Sequence, residues 1–81
     1  MSTERWIATG EAADGTVIER AFPYTGYNTY AAEQEACSDI EAWLIEVACG
    51  NHGGCTFYSV SYTDCYDPEF DAPEYRAGEE V

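Results

Sequence analysis

Two short strand-like runs, in which apolar residues are interrupted by a few polar ones, lie near the start of the sequence, at residues 6–12 and 16–24. Asp14 and Gly15 stand between the runs, and Asp-Gly is a favoured two-residue type I′ turn between paired strands. The pattern therefore predicts a β-hairpin. Its register would place small and apolar side chains on the face that packs against a helix: Trp6, Ala8, Ala12, Val17 and Ala21.

The next segment, residues 28–49, has the periodicity of an amphipathic helix. Asn28 or Thr29 can cap its start, and the glycine-rich stretch at residues 50–54 can end it. Apolar residues recur at steps of three and four and form one stripe: Cys37, Ile40, Leu44 and Val47. We expect this stripe to pack on the sheet.

Residues 55–66 show an alternating pattern and predict a third strand with no charge before Asp64. So neutral a strand is expected to be central in its sheet, or an edge that something covers. The sequence therefore predicts an α+β fold in strand-strand-helix-strand (ββαβ) order, with a small antiparallel sheet packed on the helix. Residues 1–66 would form one compact domain, and residues 67–81 an acidic, mobile tail that can dock through Phe70 or Tyr75.

Charge narrows the functions open to this fold. The chain of 81 residues has sixteen acidic residues, three arginines and no lysine, a net charge of −13, while 46% of its residues are hydrophobic. That hydrophobic content favours a folded domain over a disordered one. Three scattered arginines cannot bind nucleic acid or an anionic membrane directly. The sequence has no apolar run long enough to span a membrane, and we expect a cytoplasmic protein. In that compartment its cysteines would be reduced. We expect no cofactor.

Acidic side chains on the predicted helix are the first candidates for partner binding. Glu35, Asp39 and Glu46 fall near one angular position, separated by roughly 6 Å and 10 Å along the axis. The full predicted set comprises Glu33, Glu35, Asp39, Glu41 and Glu46 on the helix, then Asp64, Asp67, Glu69 and Asp71. Such carboxylates can substitute for phosphates in the basic groove of a nucleic-acid-binding protein.

Other chemistry has weaker support in the sequence. Cys49, His52 and Cys55, with Cys65 as a fourth ligand, resemble a zinc-binding set, but the same residues also fit a helix end followed by a strand. No catalytic motif is present: the chain lacks a Gly-x-Ser-x-Gly elbow, a phosphate-binding glycine loop followed by lysine, and any lysine for a Schiff base. We therefore predict a non-enzymatic protein without a bound metal.

In size, charge and element order over residues 5–66, the chain resembles the small acidic inhibitors of host defence that phages and plasmids encode. These anti-CRISPR and anti-restriction proteins imitate nucleic acid. The resemblance implies binding to the basic nucleic-acid site of a defence complex or nuclease, without catalysis. Two alternatives stay open: a metal-stabilised or accessory interaction domain, and an acidic protein adapted to salt with no mimicry. An exposed neutral strand would also make a homodimer natural.

Overall fold

The computed structural model describes residues 3–76 and confirms the α+β fold in ββαβ order. Strand β1 (Arg5–Ala12) and strand β2 (Val17–Pro23) form the hairpin, helix α1 (Tyr30–Trp43) follows, and strand β3 (Cys55–Thr63) completes the sheet. Both strand pairs are antiparallel, and the spatial order is β2-β1-β3. β1 is therefore the central strand, and β3, expected at the centre or under a cover, is an edge strand.

The hairpin turn is one residue longer than predicted, which changes the register. The Gly15 N–H donates to the Ala12 carbonyl (3.0 Å), and the Ala12 N–H donates to the Thr16 carbonyl (2.8 Å), so the loop has three residues. A type I′ turn needs positive φ at both central residues. Among residues 3–76 only glycines have positive φ, and in this turn only Gly15 does, at 90°. Asp14 therefore does not have the positive φ that the predicted type I′ turn requires.

As a result, β2 presents the opposite face from the one predicted. Val17 pairs with Glu11 and Arg20 with Ala8, so Ile18 and Phe22 lie on the helix side. A shift of one residue moves every side chain of a strand to the other face. The helix-facing prediction was correct for Trp6, Ala8 and Ala12 and wrong for Val17 and Ala21.

The hydrophobic core lies between the sheet and one side of the helical segment. Its buried members are Trp6, Ala8, Ala12, Ile18, Ile40, Leu44, Ala48 and Cys49. Gly10, in the middle of β1, allows the closest approach: a Cβ at this position would lie 3.0 Å from Cys49 Sγ and 3.1 Å from Leu44 Cδ1. The helical segment therefore packs directly on the backbone of the central strand.

The helix begins as predicted and ends differently. Thr29 caps it, its Oγ1 accepting from the Ala32 N–H at 3.1 Å. After Trp43 the chain continues as a π-helical turn, Leu44–Ala48, in which the Cys49 N–H donates to the Leu44 carbonyl at 2.8 Å. This wider turn buries Ala48 and leaves Val47 39% exposed, so the predicted stripe is wrong at Val47.

A short 3-10 turn, Gly50–His52, then leads to Gly53, whose φ of 92° reverses the chain into β3. The glycine-rich stretch ends the helix, as the sequence predicted. Within the part of the chain that the structure covers, no helix is long and apolar enough to cross a membrane.

Residues 73–75 lie against the outer edge of β2. The Ala21 N–H donates to the Pro73 carbonyl (2.8 Å), and the Tyr75 N–H donates to the Ala21 carbonyl (2.7 Å), a parallel bridge that covers this edge at Ala21. Tyr75 stacks on Phe22 with ring centroids 4.7 Å apart, whereas Phe70 is 84% exposed. Of the two predicted docking residues, only Tyr75 docks; the predicted tail residues 77–81 lie outside the described part of the chain.

Candidate functional site

The acidic row of the helical segment is exposed. Glu35 and Asp39 lie on α1 and Glu46 on the π-helical turn, all three with exposed side chains. Within residues 3–76, none of the three carboxylates forms a hydrogen bond or an ion pair with the chain's own groups. Because the π-helical turn changes the angular step, Glu46 is offset from the line that a continuous α-helix would give. Glu35 and Asp39 remain one helical turn apart.

The other two predicted helix acids are occupied within the chain. Glu33 is half-buried and accepts a hydrogen bond from the Tyr24 hydroxyl at 3.4 Å. Glu41, also half-buried, accepts from Cys37 Sγ at 3.5 Å. Burial, and next this hydrogen bond to a carboxylate, raise the pKa of the Cys37 thiol. Glu33 and Glu41 therefore have a structural role in addition to their charge.

The acids after β3 form a second and separate group. Asp67 Oδ1 accepts from the Glu69 N–H (2.9 Å), and Asp71 Oδ2 accepts from the Asp67 N–H (2.8 Å), so two of the predicted carboxylates hold a compact turn. Glu69 and Asp64 keep exposed side chains, and the Asp64 carbonyl accepts from Thr3 Oγ1 at 2.8 Å. No hydrogen bond joins this group to the helix acids in the described residues, so the structure presents two acidic surfaces.

The alternative metal ligands do not come together. Cys49 is buried beside Cys55, but Cys65 lies two residues beyond the far end of β3, a strand of nine residues that spans roughly 26 Å. The His52 ring is held at the hairpin turn, with Nδ1 3.0 Å from Asp14 Oδ2 and 3.4 Å from Thr16 Oγ1. No group of three or more histidine, cysteine or acidic side chains within residues 3–76 has the geometry of a metal site. The four residues of the alternative set therefore do not lie together in residues 3–76.

The cysteines next to His52 also lack the features of a nucleophile. Burial, followed by the hydrogen bond shared with Cys55, raises the pKa of Cys49 to about 11. Reactive cysteines have the opposite property, a lowered pKa in an electropositive and partly exposed environment. Cys55 Sγ donates to the Phe57 carbonyl at 3.0 Å. Cys49 is therefore a protonated, structural thiol at neutral pH.

A surface cleft of about 590 Å³ opens at the Arg5 end of the sheet. Its lining residues are Glu4, Arg5, Pro23, Tyr24, Thr25 and Glu74. Arg5 Nε donates to Glu74 Oε1 at 2.7 Å, and the guanidinium lies over the Tyr66 ring at 5.1 Å from its centroid. The cation of the cleft is thus engaged by the chain itself, and it fastens residues 66–74 to β1.

Two of the tyrosines that could serve an interface, Tyr24 and Tyr27, are instead part of the core rim. Tyr24 and Tyr27 pack on Trp6, whose Nε1 donates to the Tyr27 hydroxyl at 3.0 Å. Tyr62 is 47% exposed, and its hydroxyl donates to Glu4 Oε2 at 2.8 Å. This hydrogen bond, more than partial burial, raises the pKa of Tyr62 to about 12. Tyr62 is therefore a neutral donor at every physiological pH.

Sequence reasoning missed an exposed part of the sheet on the side away from the helix, which we call the open sheet face; Ala21 lies on the same side but is fully buried. Val17, Glu11 and Phe57 form one row across the three strands, and Val17 and Phe57 are 61% and 56% exposed. The next row contains Glu19, paired with Thr9. The signal that would have found this face is the turn length, because a three-residue loop places Val17 opposite Glu11.

Comparison with known proteins adds no assignment: no protein-family model, curated protein or solved structure matches the chain.

Proposed function

We propose that this protein is a non-enzymatic inhibitor that binds the basic nucleic-acid-binding groove of a partner, such as a host-defence complex or a nuclease, in the cytoplasm. The observation that carries the proposal is the exposed row of Glu35, Asp39 and Glu46, whose charges no cation of the described chain neutralises. A groove that binds phosphates contains lysine and arginine side chains, which could pair with these carboxylates.

Electrostatics support a partner of this class. The net charge of −13 already counts all three arginines, so the chain presents a negative potential over much of its surface. Opposite charge on a partner accelerates encounter and selects the partner, and both effects weaken as salt screens the charges. Self-repulsion within the folded chain also needs an offsetting use, which binding to a cationic groove provides.

The fold suits a binding role better than catalysis. Glu35 and Asp39 lie on the capped helix α1 and Glu46 on the π-helical turn that continues it, so these carboxylates are held by helical segments packed against the sheet and not by a loop. The raised pKa of Cys49 argues against a thiolate nucleophile. Binding without a chemical step needs only the presented charges.

The first experiment is capture of partners from a lysate by the tagged protein, with washes at low and high salt and with duplex DNA as competitor. We expect a nucleic-acid-binding protein that both salt and DNA release. Capture that DNA leaves unchanged would contradict the proposal and favour a salt-adapted protein or an accessory domain.

Charge-reversal variants then locate the binding surface. Each Glu→Lys or Asp→Lys change adds +2, so the pair E35K and D39K changes the net charge from −13 to −9. The control pair E11K and E19K, on the open sheet face, changes it by the same amount. We expect the helix pair to weaken partner binding at least tenfold more than the control pair, and the addition of E46K to abolish it. Equal losses in both pairs would show that only net charge matters and would remove the helix row from the proposal.

A further inference from the structure

One edge of the sheet is open. Residues 73–75 bridge to Ala21 and cover the β2 edge at that residue, whereas β3 pairs only with β1 among residues 3–76. In an antiparallel strand, successive residues point their N–H and C=O groups to opposite edges. Every second residue of β3 therefore directs a backbone donor and acceptor to the outer side of the sheet. This edge can accept another strand.

The open edge lacks the usual protection against strand pairing. Natural edge strands are blocked by charges, prolines or strong bulges. The nine residues of β3 include no charge and no proline, and its one irregularity is a bulge at the Cys55 end, opposite Glu11 and Ala12. Phe57, Tyr58 and Tyr62 project from it with 56%, 45% and 47% of their surface exposed.

We propose that β3 pairs with β3 of a second copy of this chain, antiparallel about a two-fold axis at Ser59, to form a six-stranded sheet across a homodimer. Charge selects the place where two copies can meet: chains that each have a net charge of −13 repel one another least where both are neutral, and β3 is the longest uncharged element. The inference does not depend on the proposed function.

The strand is also complementary to itself in this register. Ser59 is its central residue, so Phe57 of one copy lies opposite Ser61 of the other, and Tyr58 lies opposite Val60. An aromatic residue beside a β-branched or small one is a favourable cross-strand pair. Tyr58 and Val60 share the helix side with their β1 partners Gly10 and Ala8, and Phe57 and Ser61 share the open side. No pair opposes two bulky rings.

The test measures self-association by sedimentation velocity over a range of concentrations, with circular dichroism to verify the fold of each variant. We expect the wild type to dimerise and both S59K and S59E to weaken the dimer at least tenfold, because each places two like charges directly opposite at the two-fold axis. An equimolar mixture of S59K and S59E should restore a dimer, since the opposing charges then attract. S38K, the same change at an exposed position of α1, serves as the control and should dimerise like the wild type.

Salt separates this inference from the proposed function. Higher salt should strengthen the homodimer by screening repulsion between two acidic chains, and should weaken the complex with a basic partner. The inference is overturned if the wild type stays monomeric up to roughly 1 mM, if S59K and S59E dimerise as well as the wild type, or if their mixture fails to restore the dimer. None of these results would bear on the helix row.

Discussion

A single methyl group added at Gly10 tests how closely the helical segment packs on the sheet. In Gly10→Ala the new Cβ would lie 3.0 Å from Cys49 Sγ, 3.1 Å from Leu44 Cδ1 and 3.2 Å from Leu44 Cγ. Favourable contacts between carbon atoms lie at about 3.5–4.0 Å. Leu44 and Cys49 are completely buried, and the hydrogen bond between their backbones holds the π-helical turn, so neither side chain can move into solvent.

The expected loss follows from two opposing terms. Overpacking a core costs about 1–3 kcal/mol, while replacing glycine restricts the unfolded chain and returns about 0.4–1 kcal/mol. The free energy of unfolding should therefore fall by about 1–2 kcal/mol, and the midpoint temperature by about 4–8 °C for each kcal/mol. Urea titration followed by the fluorescence of Trp6 and Trp43 measures it, with the slope of the transition unchanged.

A double-mutant cycle with Leu44→Ala supplies the control. Leu44→Ala alone should cost about 2–5 kcal/mol through the cavity it leaves. In the double variant the methyl group at position 10 occupies part of that cavity, so the combined loss should be smaller than the sum of the two single losses. A neutral or stabilising Gly10→Ala, or strictly additive losses, would refute the close approach of Leu44 to β1.

Two further predictions concern the docked segment and the hairpin turn. Tyr75→Ala removes the stack on Phe22 and the edge contact with Trp43, and should lower the free energy of unfolding by about 1–3 kcal/mol; Phe70→Ala, an exposed aromatic of the same segment, should change it by less than about 0.5 kcal/mol. Equal losses in urea titration would show that residues 67–76 do not depend on Tyr75. Hydrogen bonds from the Thr16 side chain and backbone hold the pKa of Asp14 below its ordinary value. The ionised carboxylate therefore adds stability that is fully present above the ordinary pKa of aspartate and is lost as the pH falls through the lower, folded pKa. Asp14→Asn should thus destabilise at pH 7, and the loss should shrink as the pH is lowered through the acidic range; a loss that does not change with pH would contradict this.

The elements of this fold could be predicted from hydrophobic periodicity, because the two strand runs, the capped helix and the uncharged third strand each have a clear local pattern. The hairpin register could not. Asp-Gly is compatible with both a two-residue and a three-residue loop. In the three-residue loop observed here, Asp14 Oδ1 accepts a hydrogen bond from the Thr16 N–H at 2.9 Å. That one residue decided which side chains of β2 face the core.

The helix end and the docked segment depended on tertiary contacts that no local pattern reports. The π-helical turn places Ala48 and Cys49 against Gly10, and this packing overrides the spacing that favoured Val47. Residues 73–75 form a bridge to Ala21 more than fifty positions earlier, within a segment whose prolines and acids resemble a solvated tail. The acidic surfaces were predicted from the sequence. Only the three-dimensional structure shows which carboxylates accept hydrogen bonds within the chain.

The central position of β1 governs the order in which the molecule can assemble during synthesis. β1 and β2 are joined by a three-residue loop and can pair as soon as both have been made, yet β1 also needs residues 55–63, and β2 needs residues 73–75. Contacts so distant in sequence slow folding and leave strand edges exposed in the meantime. Until residues 55–63 and 73–75 have been made, the hairpin therefore lacks the partners of both its outer edges.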